Sequence, residues 1–339
     1  MRRLLVNIAL LFSAGIMGVG CEVMNMETSV QGQPYEVLLV CDQPEWQGEL
    51  GDTLQSVLSA PVKELFNYEP QYDVLRILPA NFTDYTRLHR NIITVNVAPE
   101  LEQSGIYVQQ DKNVKGQTYI AIQGPTQSSV ARYVSDNRDL IYQVLEKGER
   151  ERHVKRAAEQ SAEALEQLVE EKFGFKLHLE KNFGLRTQSE DMVWISQEYP
   201  AASKGFFIYK YPYEGKESLT AEALVKARNR FAQRIPGPVD GSYMITVDKI
   251  ADESGTEYVP YKPDHRAIRI GERPWIEMVG LWDVENYFMG GPFVSYTTVN
   301  QATNEVVTLD CYIYSPKEEK RNMLRDLQHL VYLIDFPKQ

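Results

Sequence analysis

The chain predicts an α+β fold. It reads as two similar halves, each strand–helix–strand, then a meander, then a helix, joined by a long amphipathic helical segment. Three observations carry this. Short apolar runs bounded by turn residues recur in both halves, which is the mark of buried strands. Stretches with helical apolar spacing follow them behind capping residues. Between the halves lies GERERHVKRAAEQSAEALEQLVEEKFG, residues 148–174, mostly charged but with an apolar stripe of Val154, Ala158, Leu165, Leu168 and Val169. Strands and helices in this order predict antiparallel or mixed sheets with helices on one face.

The elements follow in order. YEVLLVC (35–41) is a strand, and Asp42 with Glu45 offers a cap for a helix over 46–58. YDVLRIL (72–78) and NIITVNV (91–97) are strands, and 107–122 is a hairpin turning near Asn113–Gly116. Gly124-Pro125-Thr126-Gln127 places Pro at the first position of a helix that Gly148 interrupts. GFFIYKY (205–211) is a strand, Ser218 or Thr220 caps a helix to about Arg234, and YMITVD (243–248) is a strand. Residues 276–314 form a meander, and Ser315-Pro316-Lys317-Glu318 reads as a capping box for the last helix. The expected divisions are 1–20, 21–34, 35–147, 148–174 and 175–339: leader, tether, first half, connector, second half.

The leader has an address. Arg2 and Arg3 precede an apolar run from Leu4 to Val19, which is short for a bilayer span of about 20 residues. It ends in Gly18-Val19-Gly20-Cys21, a lipobox-like stretch that would make Cys21 the acylated N-terminus. Cleavage without lipid and a retained signal anchor are the other two readings. A hydrophobic content of 43% and an aromatic content of 11% describe a folded globular protein. The net charge of −11 opposes binding to nucleic acid phosphates. Cys41 and Cys311 lie in predicted strands, as buried thiols or as a disulfide pair.

No phosphate loop, dinucleotide fingerprint, nucleophile elbow, HExxH or CxxC occurs, so neither a metal nor a cofactor is expected. Among the histidines, His178 has Glu180 two residues away. The most unusual stretch is GLWDVENYFMGGPFVSY, 280–296. Trp282, Val284 and Phe288 are expected on one strand face, with Asp283, Glu285 and Tyr287 on the other, and Gly290-Gly291-Pro292 to break the strand. Asp283 and Glu285 are the candidate acid and base of a hydrolase. HRAIRIGERPW, 265–275, groups Arg266, Arg269 and Arg273 before Trp275, a candidate anion site. Phe206, Phe207, Tyr209, Tyr211 and Tyr213 are core, or a surface for sugars or peptides.

The lipobox-like GVGC, the length, and GLWDVENYFMGGPFVSY followed by a hairpin and a terminal helix resemble an uncharacterised Bacteroidetes-type lipoprotein family, a domain of unknown function. The resemblance implies an envelope location, with Cys21 as acylation site, and supplies no activity. The function expected is a binding or scaffolding lipoprotein at the outer membrane, facing the periplasm, with an envelope protein or glycan as partner. Trp282, Trp275 and the three arginines are its candidate binding residues.

Overall fold

The computed structural model describes residues 29–252, 254–334 and 336. The expected leader, most of the tether and Cys21 lie outside them. The α+β class is as expected.

The first half contains β1 (Glu36–Val40), α1 (Gln43–Trp46), α2 (Glu49–Leu58), β2 (Asp73–Ile77), β3 (Asn91–Val97), β4 (Gly105–Gln110), β5 (Thr118–Gly124), α3 (Gln127–Asp136) and α4 (Arg138–Glu159). Its sheet runs β2-β1-β3-β5-β4 and is parallel except for β4. Leu50, Leu54, Val57 and Leu58 of α2 cover one face of that sheet, together with Val130 and Val134 of α3 and Ile141 and Leu145 of α4.

The second half contains α5 (Glu163–Phe173), β6 (Gly184–Gln188), β7 (Met192–Tyr199), β8 (Ala202–Pro212), α6 (Ala221–Ala232), β9 (Met244–Thr246), β10 (Lys249–Ala251), β11 (Tyr258–Pro260), β12 (Asp264–Ile270), β13 (Arg273–Val284), β14 (Tyr287–Asn300), β15 (Glu305–Tyr314) and α7 (Arg321–Val331). Its main sheet is antiparallel in the order β12-β13-β14-β15-β8-β7-β6, with β9 on β13. Alternation along β8 sends Phe206 and Ile208 toward α5 and α7, and Phe207 and Tyr209 toward α6. These four side chains are therefore core.

The halves share an outline but not a topology. Parallel neighbours need crossover connections, which α2 and the segment 78–90 supply in the first half. The second half pairs antiparallel throughout, with short turns joining β7 to β8 and β12 through β15, while β8 and β15 meet across the segment 213–304. The expected break at Gly148 is also absent. α4 runs straight through it, because the missing side chain leaves room for Thr118 Oγ1 of β5. The third helix begins at Gln127 behind a Thr126–Ser129 capping box, so Pro125 lies before the cap. Cys41 and Cys311 are free thiols buried in separate cores, so they do not pair. Burial pushes the Cys41 thiol up to about 11, and the Cys311 thiol well above its ordinary value.

The last helix starts at Arg321, not at Pro316, because its cap comes from the other half. The Glu69 carboxylate accepts hydrogen bonds from the backbone amides of Lys320 (2.8 and 2.9 Å) and Arg321 (2.7 Å). A carboxylate at a helix N-terminus satisfies unpaired N–H groups and suits the helix dipole. α7 then lays Leu324, Leu327 and Leu330 on its own sheet and turns a polar face to the first half. Arg321 pairs with Asp73 at 2.6 Å, and Arg325 with Glu146 at 3.0 Å. Asp326 meets Lys204 at 2.6 Å and His153 Nδ1 at 2.8 Å. His329 Nε2 lies 3.0 Å from the Tyr35 hydroxyl and 3.5 Å from Glu146.

This seam is sensitive to acid. Burial lowers the His329 pKa below its ordinary 6.5, against the pull of Glu146, so folding favours the neutral ring. Burial alone would raise Asp326, but Lys204 and His153 hold its carboxyl well below the usual carboxylate range. Both folded values lie below the unfolded ones, so both contributions are present at neutral pH and are lost on acidification. The His329 contribution fades as pH falls below about 6.5, and that of Asp326 only below about 4. Urea unfolding at pH 7.5 and 5.5 should show the native chain losing more stability than His329→Gln.

One buried pair holds α6. Arg228 reaches Asp310 of β15 through Nε (2.8 Å) and Nη2 (3.1 Å), and Thr246 of β9 through Nη1 (2.9 Å). Its guanidinium also lies 3.6 Å from the Phe293 ring centroid. Arg228→Met leaves Asp310 buried and unpaired, and urea denaturation should register a loss of about 3–5 kcal/mol. Adding Asp310→Leu should restore much of it.

Candidate functional site

The site is built around the β13–β14 hairpin. Its turn is at Glu285–Asn286, where Asn286 takes a φ of 62° that asparagine tolerates better than most residues. The expected break at Gly290-Gly291-Pro292 does not occur, and β14 runs through it. The glycines serve close approach instead. A Cβ on Gly291 would collide with the Ile313 carbonyl oxygen of β15. Trp282 of β13 donates its Nε1–H to that same oxygen, at 3.2 Å. Pro292 stands where the β15 ladder has not yet begun, since that pairing starts at Phe293–Tyr312.

The hairpin separates two concavities. Toward α6 is a cavity of about 300 Å³ lined by Trp194, Trp282, Tyr312, Met244, Met289 and Ile235, among others. There Trp194 Nε1 donates to the Tyr312 hydroxyl at 2.8 Å. On the other side a groove runs between the loop 61–69 and one face of β13. Glu277, Val279 and Leu281 are alternate residues and share that face. The loop is held by the Pro61–Pro70 bridge, a Val62–Glu69 backbone bond and the Glu69 cap on α7.

The two ends of the groove differ in their residues. One end, about 240 Å³, has Leu281 and Gly290–Pro292 as floor and Leu65 and Phe66 as wall, with Asn67, Glu69 and Lys320 around them. Phe66 and Tyr68 are 65% and 67% exposed, and Phe288 at the hairpin tip is fully exposed. The other end, about 200 Å³, carries most of the charged groups and is lined by Lys63, Glu64, Asp264, His265, Arg266, Glu277 and Val279. Glu277 is 1% exposed. Its Oε1 takes contacts from Arg266, Nε at 2.7 Å and Nη2 at 2.6 Å, while Oε2 is closed off from solvent on a strand whose cross-strand neighbour Tyr296 also bonds the carboxylate. Burial raises the Glu277 carboxyl, with Arg266 pulling the other way. Arg266 Nη2 also lies 3.9 Å from Glu64.

The sequence-predicted residues are dispersed. Asp283 is exposed and accepts from the backbone N–H of Val284 at 2.8 Å, while Glu285 sits in the turn. They line no common cavity among those described, so the expected acid–base pair is not assembled there. The arginine group is also split. Arg266 serves Glu277; Arg269 points from the opposite face and donates to the Glu272 carbonyl at 2.6 Å. Arg273 donates to the Val299 carbonyl at 3.1 Å and lies 3.8 Å from the Phe336 ring centroid. Trp275 and Trp282 face opposite sides of the sheet, and Trp275 lines an open cleft of about 820 Å³ with Arg273 and Phe336. Glu180 faces His153 and Arg156, and His178 pairs with Glu166. Among the described residues no group of three His, Cys, Asp or Glu side chains is placed to hold a metal ion.

Glu277, Glu64 and Phe66 escaped the sequence reading. Glu277 is a charged residue at an inward position of an apolar alternation, WIEMVG, and that mismatch was the available signal. Glu64 and Phe66 lie in an irregular loop and had none.

The fold and groove define an α+β chain of two family segments. Residues 160–332, about half of the chain, match the family described as Domain of unknown function (DUF4837), and the chain belongs to that family. Residues 30–158 match a second, Domain of unknown function (DUF8532). No curated protein matches the chain. Among the described residues no helix is long and apolar enough to cross a membrane.

The role of Gly291 is testable. Gly291→Ala should cost about 1–3 kcal/mol in thermal or urea unfolding, the range for overpacking a tight core. It should also shift the Trp282 emission, because the indole loses its seat on Ile313.

Proposed function

We propose that this chain is a binding or scaffolding module of the cell envelope, anchored by a diacylated Cys21 at the outer membrane and facing the periplasm. The division of labour follows the family segments, with residues 30–158 supporting the loop 61–69 and residues 160–332 supplying the hairpin. The observation that carries the reading is the fully exposed Phe288 near the tip of the hairpin, on the strand whose Met289 and Gly290 line the two concavities, together with the exposed Phe66 and Tyr68 of the loop 61–69. Exposed apolar side chains gathered into one patch mark interaction sites, and we take the three as such a patch. The excess of acidic residues favours a partner other than nucleic acid.

Two measurements test it. The intact mass of the N-terminal peptide from native membranes should begin at Cys21 and carry a diacylglyceryl group, and Cys21→Ser should release the chain from the membrane. A photo-crosslinking residue at position 288 should give one discrete adduct in intact cells, and one at exposed Glu102 should not. Equal diffuse labelling from both positions would refute the binding surface.

A further inference from the structure

Four strands end the two main sheets: β2 and β4 in the first half, β12 and β6 in the second. The outer side of such a strand carries unpaired backbone groups, and proteins guard it with charge, proline or a bulge. Three of the four are guarded. β2 carries Asp73 and Arg76, and β12 carries Asp264, Arg266 and Arg269. β6 carries Arg186 and a register shift between Leu185 and Thr187. β4, Gly-Ile-Tyr-Val-Gln-Gln, has neither charge nor proline, and its pairing with β5 runs without a shift. Residues 107–110 are all exposed, Tyr107 at 50% and Val108 at 40%.

The register of β4 fixes which groups face outward. The Asp111 amide donates inward to the Gln117 carbonyl at 2.9 Å. Backbone groups alternate in direction along a strand, so Gly105, Tyr107 and Gln109 also turn toward β5. Ile106, Val108 and Gln110 then present N–H and C=O outward, and among the described residues no backbone bond reaches them from that side. These groups are self-complementary. A second copy rotated about an axis through Val108 sets Val108 against Val108 and Ile106 against Gln110, antiparallel, and closes every outward donor and acceptor. The two valines then form an apolar cross-strand pair. The flanks of β4 differ in sign. Exposed Glu100 and Glu102 precede it; Lys112 and Lys115 follow it, with Asp111 bonded by the Gly116 amide. Antiparallel pairing turns the acidic end of one copy to the basic end of the other, whereas parallel pairing would set acid against acid. The chain bends at 102–103, so these charges lie outside the paired strand and steer its approach over a screening length of about 10 Å. With a net charge of −11 the chain repels its own copies, and an uncharged edge is where two of them can meet.

We propose that β4 is the contact through which two copies of this chain join, antiparallel and across a two-fold axis, so that the first-half sheet continues from one copy into the other. β4 and the β13–β14 hairpin belong to different halves, and the proposal does not depend on Phe288 meeting a partner.

The test uses the full chain, by sedimentation equilibrium in detergent and by cysteine pairing in intact cells. The native chain should sediment as a reversible dimer, at twice the monomer mass. Val108→Lys sets two like charges against each other and should weaken association at least about tenfold. Gln110→Pro removes an outward N–H, leaves the bonds to β5 in place and should do the same. Both side chains are exposed, so neither variant disturbs the core. Val108→Cys should form a disulfide between copies under mild oxidation, because residues paired in this way lie about 5.5 Å apart at Cα, within disulfide range. Leu75→Cys, equally exposed on the guarded β2, should not. Cys41 and Cys311 are buried, and the native chain gives the background. A monomer at every concentration, or a dimer that neither Val108→Lys nor Gln110→Pro weakens, would overturn the proposal. A Val108→Cys adduct with a different protein in place of the second copy would overturn it in favour of a strand donated by a partner.

Discussion

The groove exists because two halves with different sheets are fastened along α7. Helix ends carry unpaired amides that must find acceptors, and the start of α7 finds them in Glu69 of the other half. One carboxylate therefore ends a loop and begins a helix. Farther along, Arg321, Arg325, Asp326 and His329 present a charged face to Asp73, Glu146, His153 and Tyr35. Buried ion pairs of this kind add little net stability against apolar packing of the same shape. They are costly to break singly and are selective for one arrangement. Here the arrangement they select sets the loop 61–69 against β13 and so forms the groove.

The hairpin is fixed by a different device. Gly291 allows β14 to pass close enough to β15 for Trp282 to bond the Ile313 carbonyl across it. A large indole buried under its own strand neighbour leaves little freedom at the base of the hairpin. A rigid base is what lets an exposed residue such as Phe288 meet a partner without first being ordered.

Much of the fold was legible because periodicity reports burial. YEVLLVC, NIITVNV and GFFIYKY are strands as read, and Thr220 caps α6 as one of the two expected residues. Parallel and antiparallel pairing were not legible, since both halves show the same run of apolar segments and differ only in how the connections travel. The start of α7 misled for a physical reason. Pro316 and Glu318 look like a local cap, but Glu69, far away in sequence, supplies a better one. Gly148 read as a helix break because a glycine weakens a helix in isolation, whereas here it makes room for Thr118. At the site, the sequence singles out Trp282 and Arg266 but gives no sign of their partners. Arg266 finds Glu277 through strand register, and Glu64 through the seam; neither is written in local spacing.

Hydrogen exchange of Glu69→Ala against the native chain tests the dependence of the groove on the seam most directly. The seam account predicts that protection falls together in the first turn of α7, in the loop 61–72 and along 277–281 of β13, with the rest of both sheets unchanged. Loss confined to the first turn of α7, with the loop and β13 protected as before, would contradict it.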